Sequence, residues 1–220
     1  MSGITGGITG GVTGGVTGRG DITQVVFDIG QVLVKLRPAP LFALLAEHGY
    51  QPDDLERVAR RIGIVEHETG RLDGAGLLAN VAALAPRPPD PTRLQAAWLD
   101  MFEPDRRMIE LAARLRTTHG VFLLSNVGDL HWARLRGVWR IHELAHDALP
   151  SFEVGVMKPD EAIYREAERR LALDPARTVF IDDRAENVAA ARNRGWQAIQ
   201  HGDTEHTLRA LRALGVDTEA

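Results

Sequence analysis

An α/β fold, one parallel sheet with a small all-helical insertion, is what this sequence predicts. Three observations carry that expectation. Short, continuous apolar runs recur along the chain, bounded by polar or glycine residues, as strands buried on both faces require. Stretches of helical periodicity fill the gaps between them. One gap, near the start, is much longer than the rest and holds no convincing strand.

Taken in order, residues 1–20 stand apart. GITGGITGGVTGGVTG, residues 3–18, is four copies of a glycine-rich tetrapeptide. It has too little apolar surface to offset the entropy of ordering it, and four tetrapeptides cannot stack into a core, so a disordered tail is expected. The RGD at 19–21 reads as a chance tripeptide. TQVVF (23–27) is the first strand. Helical stretches then follow at 40–48, 53–62, 74–84 and 91–102, separated by Pro and Gly, and make residues 37–104 a helical module inserted after that strand. The core is expected from residues 21–36 and 105–220. A helix at 105–118 places Met108, Leu111, Ala112 and Leu115 on one stripe. VFLL (121–124) is the second strand and 145–149 a weaker third. A helix at 159–171, TVFI (178–181), a helix at 185–194, WQAI (196–199) and a helix at 204–214 stopped by Gly215 complete the order. This alternation gives a Rossmann-like sheet with helices on both faces, whose ligands bind at the carboxyl ends of the strands. The inserted helices would roof that end.

Composition narrows the partners. A net charge of −4 and a pI near 6.1 argue against a nucleic-acid binder held by phosphate contacts. No apolar run reaches membrane-spanning length and no leader precedes the domain, so a cytoplasmic protein with no membrane partner is expected. The absence of cysteine excludes disulfides and thiolate metal sites. All of the 26 basic residues are Arg except Lys35 and Lys158, so either lysine merits scrutiny.

Polar groups fall at the ends of successive strands. Asp28 closes the first, in VVFDIGQVLV. Ser125 and Asn126 close the second, in VFLLSNVG. Lys158 lies beyond the weak third, in SFEVGVMKPD, and Asp182 and Asp183 close the fourth, in TVFIDDRAENV. Singly each has an ordinary reading: a turn-capping Asp, Ser-Asn turn chemistry, a Lys-Pro opening a helix, acids at a helix N-terminus. Together they converge on one crevice. Carboxylates so close call for a cation, and hard oxygen ligands suit Mg²⁺. A compact ammonium beside an anionic nucleophile suits a phosphate.

These four segments resemble, in order, the four motifs of the haloacid dehalogenase-like hydrolases: FDIGQVL the nucleophile motif, LLSN the second, GVMKPDEAIY the lysine motif and FIDDRAEN the acidic motif. The likeness spans roughly residues 22–216. The surrounding wording is similar to the subfamily with a helical cap after the first strand, and EHETGRLDG with Gly30 resembles the branch containing bacterial α-glucose-1-phosphate phosphatase. The resemblance implies a phosphatase acting on small phosphorylated metabolites, sugar phosphates among them, through an aspartyl-phosphate. Asp28 would be the nucleophile. Mg²⁺ would be held by Asp28, Asp183, Asp182 and the Gly30 carbonyl. Ser125, Asn126 and Lys158 would bind the transferring phosphoryl group, and Asn187 would support the acidic loop. Most phosphatases of the family carry a second Asp two residues after the nucleophile, as general acid. Gly30 occupies that place here, which favours anomeric leaving groups that depart with little protonation; His131 is a candidate substitute donor.

Three other readings compete. Dehalogenases of the same superfamily also lack the second Asp, but they work without metal and carry neutral residues where Asp182 and Asp183 stand. A binding module without turnover would keep the pocket. His142-Glu143-Leu144-Ala145-His146, with Glu166 twenty residues on, has the spacing of a zinc protease, provided that both histidines share one helical turn.

Overall fold

The computed structural model describes residues 21–51 and 53–219; the glycine-rich repeat lies outside the described residues. The chain runs β1 (Gln24–Phe27), β2 (Val34–Leu36), α1 (Ala39–Glu47), α2 (Leu55–Ile62), α3 (Ile64–Glu68), α4 (Gly74–Ala82), α5 (Pro91–Leu99) and β3 (Phe102–Pro104). It continues α6 (Arg106–Leu115), β4 (Gly120–Ser125), α7 (Asp129–Trp139), β5 (Asp147–Pro150), α8 (Glu161–Arg170), β6 (Thr178–Asp182), α9 (Ala185–Asn193), β7 (Gln197–Gln200) and α10 (Thr204–Ala213). Five strands form one parallel sheet, ordered β5-β4-β1-β6-β7.

Both faces of that sheet are covered, which is why its strands read as unbroken apolar runs. Along β1, Val25 and Phe27 enter a cluster with Met108, Leu111, Leu135 and Leu211, from α6, α7 and α10. Val26 points the other way, into a cluster with Ile163, Tyr164, Val188 and Trp196. Helix starts follow local chemistry. Asp54, Asp73, Asp90, Asp105, Asp160 and Asp203 each accept a backbone N–H in the first turn of the helix they precede. Such a cap is worth about 0.5–2 kcal/mol against Ala.

Five elements differ from the expectation. The segment read as strand-free, from Leu36 to about Pro104, ends in β3, which joins β2, just before the segment, in an antiparallel ribbon pairing Val34 with Pro104 and Leu36 with Phe102. Three residues per strand are too few to leave a periodic signal. α3, five residues long, goes unread for the same reason. α7 goes unread because only His131, Trp132 and Leu135 of its eleven residues are buried, and the stripe ends at Gly137. The weak strand expected at 145–149 is β5, displaced to start at Asp147 because Ile141–Leu144 form a 3₁₀ turn.

Helices α1, α2, α4 and α5 share an apolar cluster of their own, with Leu45, Leu77, Val81 and Trp98 at its centre. This layer touches the sheet layer at defined points. Gly70, at φ +71°, sits where any Cβ would come within 2.5 Å of the Phe152 carbonyl oxygen. Only glycine satisfies both the left-handed backbone and that approach. Gly128 makes room in the same way for the buried His67 ring. Ser151 Oγ donates to the Glu68 carbonyl at 2.5 Å.

Candidate active site

Strand register assembles the site. Phe27 pairs with Leu123 on one side and Ile181 on the other, so the next residues, Asp28, Leu124 and Asp182, emerge together at the carboxyl edge. From β1 the chain builds outward through β4 and β5, then returns to place β6 and β7 on the other side. Such a reversal leaves a crevice beside β1. Immediately after Asp28 the chain turns sharply. The amides of Val32, Leu33 and Val34 all donate to the Ile29 carbonyl.

Asp28 is 7% exposed; its Oδ1 accepts from the Ile29 amide at 2.6 Å and lies 2.9 Å from Lys158 Nζ. Lys158 is wholly enclosed, with Nζ also 2.7 Å from Asp182 Oδ2 and 2.9 Å from the Leu124 carbonyl oxygen. Its backbone is clasped by Asn126: Nδ2 donates to the Lys158 carbonyl and Oδ1 accepts from its amide. Asn126 therefore positions the lysine and has both side-chain termini committed. Ser125 is buried beside Asp28 and lowers its proton affinity.

Charge in the crevice is unbalanced. Burial pushes the Asp28 carboxyl up to about 6; Lys158 pulls it down and Asp182 adds to the rise. Burial opposes the Lys158 charge, yet the Asp28 and Asp182 carboxylates outweigh it and hold the ammonium above its ordinary value. Burial, then the Asp182 charge, raises Asp183. Each of Asp28, Asp182 and Asp183 has a carboxylate oxygen within 4.8 Å of the other two, and they form the one such acidic group among the described residues. Three carboxylates against one ammonium leave a deficit of two positive charges, which fits a divalent cation with hard oxygen ligands. The three acids are not equivalent. Asp182 accepts from Lys158, from the Arg184 amide at 2.8 Å and from Asn187 Nδ2 at both oxygens, whereas half-buried Asp183 is the freer ligand. Asn187 is itself held through its carbonyl by Tyr164.

A cavity of about 250 Å³ opens onto this edge between the sheet and the helical layer, lined by Gly30, Gln31, Glu68, Ser125 and Asn126 on the polar side. His131 lines it as well, but as a wall. It is buried, stacked on Trp98 at 5.0 Å and edge-on to Phe102 at 4.6 Å, with Nε2 bonded to the Trp98 carbonyl. Burial pushes its pKa down to about 4, so it is neutral at pH 7 and is no proton donor. Glu68 was not singled out by sequence reasoning. It sits in EHETGRLDG, a stretch marked only by its resemblance as a whole, with no role attached to any one of its residues.

The zinc-protease spacing has no structural counterpart. His142 lies in the 3₁₀ turn and His146 beyond its end, where Nδ1 accepts from the Val121 amide. The two imidazoles do not share a helical turn. Glu166 is engaged by Arg169 at 2.6 Å and by Arg170.

Comparison with known proteins agrees with this geometry. The family model described as a haloacid dehalogenase-like hydrolase matches residues 22–195. A D-ribitol-5-phosphate phosphatase of Bacteroides thetaiotaomicron is 24% identical over 188 residues, 81% of this chain and 91% of that protein. A sesquiterpene phosphatase of Aspergillus oryzae is 30% identical over 112 residues, 50% of this chain, so the match spans 57% of that relative's length. Among solved structures, a HAD family enzyme of B. thetaiotaomicron superposes with a TM-score of 0.75 at 23% identity, covering 86% of this chain and 99% of that one. That enzyme has also been solved with magnesium and inorganic phosphate.

Proposed function

The chain belongs to the haloacid dehalogenase-like hydrolases, and from that premise we propose that it hydrolyses phosphomonoesters of small metabolites, with Asp28 as nucleophile. The observation that carries the proposal is the buried Asp28–Lys158–Asp182 array with Asp183 beside it, two positive charges short of neutrality. A dianionic phosphate would enter such a site only with a divalent cation, whereas the anionic substrate of a dehalogenase would meet uncompensated acids. Asp28, Asp183 and the Gly30 carbonyl would hold Mg²⁺, with Asp182 closing the set; bound there, the metal would supply charge neutralisation of the transferring phosphoryl group. Helices α1–α5, within residues 37–104, would serve as the cap.

The reaction divides into two transfers. The Asp28 carboxylate attacks phosphorus, the bond to the leaving oxygen breaks, and an aspartyl-phosphate forms. Lys158, the Ser125 hydroxyl and the backbone beyond Ser125 bind the phosphoryl oxygens. Water then attacks phosphorus and returns the Asp28 carboxylate. Lys158 serves both steps by holding Asp28 ionised and in place; Asn126 acts by clasping Lys158.

The nucleophile loop offers no side-chain acid at position 30, and this favours sugars phosphorylated at the anomeric carbon. A second reading of the leaving group has its own observation. Beyond the polar edge the cavity wall is Val34, Leu36, Ile64, Trp98, Met101 and Phe102. A second, wholly apolar cavity of about 220 Å³ shares Leu36, Trp98 and Met101 with it. With Asn126 committed to Lys158, Gln31 and Glu68 are the polar side chains left beside Ser125 to read sugar hydroxyls, and an apolar alcohol would fill the rest of this wall well. The test is phosphate release from glucose 1-phosphate, glucose 6-phosphate, ribitol 5-phosphate, farnesyl phosphate and p-nitrophenyl phosphate, with Mg²⁺ and with EDTA. Release from none of them would remove the phosphatase reading; undiminished release in EDTA would remove the metal. The ratio of kcat/KM for farnesyl phosphate to that for glucose 1-phosphate decides between the leaving groups.

A further inference from the structure

We propose that the Glu68 carboxyl delivers the proton to the leaving oxygen as Asp28 attacks, filling from the opposite wall the place that Gly30 leaves empty. The inference rests on the phosphatase reading and concerns which residue completes it.

Geometry comes first. Glu68 and Gly30 line the same cavity, together with Ser125, and Glu68 is close enough to the edge to feel the charges of Asp28 and Lys158. Its backbone is fastened to the sheet layer rather than left to a mobile roof. Ser151 Oγ donates to its carbonyl, and Gly70 abuts Phe152. The carboxyl itself makes no hydrogen bond or ion pair among the described residues, although two cations, Lys158 and Arg184, lie within electrostatic range. A half-buried carboxyl placed without a partner at a reactive edge has the arrangement of a group reserved for substrate.

Charge agrees. Burial pushes the Glu68 carboxyl up to about 7, the Asp28 charge adds to the rise, and Lys158 and Arg184 lower it. Of the other titratable groups nearby, His67 on the same helix turns its ring toward Leu72 and Asp129, and His131 is neutral in the wall. No competing acid faces the cavity among the described residues. A group protonated for about half the time at neutral pH is suited to giving up a proton in one step and taking one in the next.

The steps balance. As the Asp28–phosphorus bond forms, the phosphorus–oxygen bond to the alcohol breaks; its electron pair stays on the alcohol oxygen, which takes the Glu68 proton. Glu68, now a carboxylate, accepts a proton from the water that attacks the aspartyl-phosphate. The Asp28–phosphorus bond breaks with its pair returning to Asp28, and Glu68 is again protonated.

The experiment compares wild type with Glu68→Gln over a series of phosphates whose leaving groups range from p-nitrophenol to primary alcohols. General acid catalysis is worth about 10²–10⁴-fold. For primary alkyl and sugar 6-phosphates we expect kcat/KM to fall by about 10²-fold or more, for p-nitrophenyl phosphate by much less, so that the dependence on leaving-group pKa steepens. The alkaline limb of the wild-type pH profile for a primary phosphate should vanish in the variant. A double variant with Gly30→Asp tests the place being filled. A Cβ at Gly30 meets nothing within 4 Å and its φ is not positive, so the new acid can be accommodated and should restore primary-phosphate turnover. Equal losses across the series, or an unchanged alkaline limb, would overturn the role of Glu68 while leaving the phosphatase reading intact. A wild type that releases phosphate from no ester would overturn both. Melting curves of each variant show that the fold persists.

Discussion

Lys158→Met isolates the electrostatic argument. Methionine keeps the length of the stem and its packing near the Phe180 ring, which the Lys158 ammonium now approaches at 5.2 Å, so little cavity is created. What disappears is the one charge at 2.9 Å from Asp28 and 2.7 Å from Asp182, along with the bond to the Leu124 carbonyl. Removing one partner of a buried ion pair costs about 3–5 kcal/mol because the other is left uncompensated. With a urea slope of about 3 kcal/mol per molar, the midpoint at pH 8 should drop by about 1–1.7 M. The loss should depend on pH, and its sign follows from Asp28. Its folded-state pKa, about 6, already exceeds the ordinary 3.8, so the folded state binds its proton more tightly than the unfolded chain does. Stability linked to that proton is greatest at low pH and is lost as pH rises through about 6. Without Lys158 the rise in Asp28 is larger. The variant should therefore recover part of its deficit between pH 8 and pH 5.5 as the carboxylate pair takes up a proton. The assay is urea denaturation of both proteins at the two pH values in EDTA. A midpoint shift under 0.5 M on the same slope, or the same deficit at both pH values, would refute the reasoning.

Two further outcomes are expected. Asp28→Asn should lose turnover of every substrate while its melting temperature at pH 8 equals or exceeds that of wild type, because a carboxylate ionised against burial has been neutralised; appreciable Mg²⁺-dependent hydrolysis in this variant would remove Asp28 as nucleophile. Glu68→Gln should be more stable than wild type at pH 8, the difference shrinking as pH falls from about 7 toward 4.5, since a carboxyl raised by burial destabilises the fold only where it is ionised; differential scanning calorimetry at pH 5 and pH 8 reads this directly, and a destabilised variant at pH 8 would mean that Glu68 has a partner.

Much of this protein was written locally. VVF, FLL and VFI could only be strands buried on both faces, and the helices between them announced themselves by apolar stripes. Once a parallel sheet was expected, Asp28, Ser125, Lys158, Asp182 and Asp183 had to converge, because strands in register end together. Other features arose only when distant segments met. The β2–β3 ribbon joins residues about 68 apart in the chain, and three-residue strands carry no period of their own. His131 looked like a candidate acid until Trp98 and Phe102 enclosed it and withdrew its charge. The H-E-x-x-H spacing lost its meaning because a 3₁₀ turn ends between its histidines. Glu68 is an ordinary helix residue in sequence. It becomes a candidate acid because Ser151, Phe152 and Gly128 seat its segment against the sheet, and because burial beside Asp28 is a property of the assembled cavity and not of any stretch of chain.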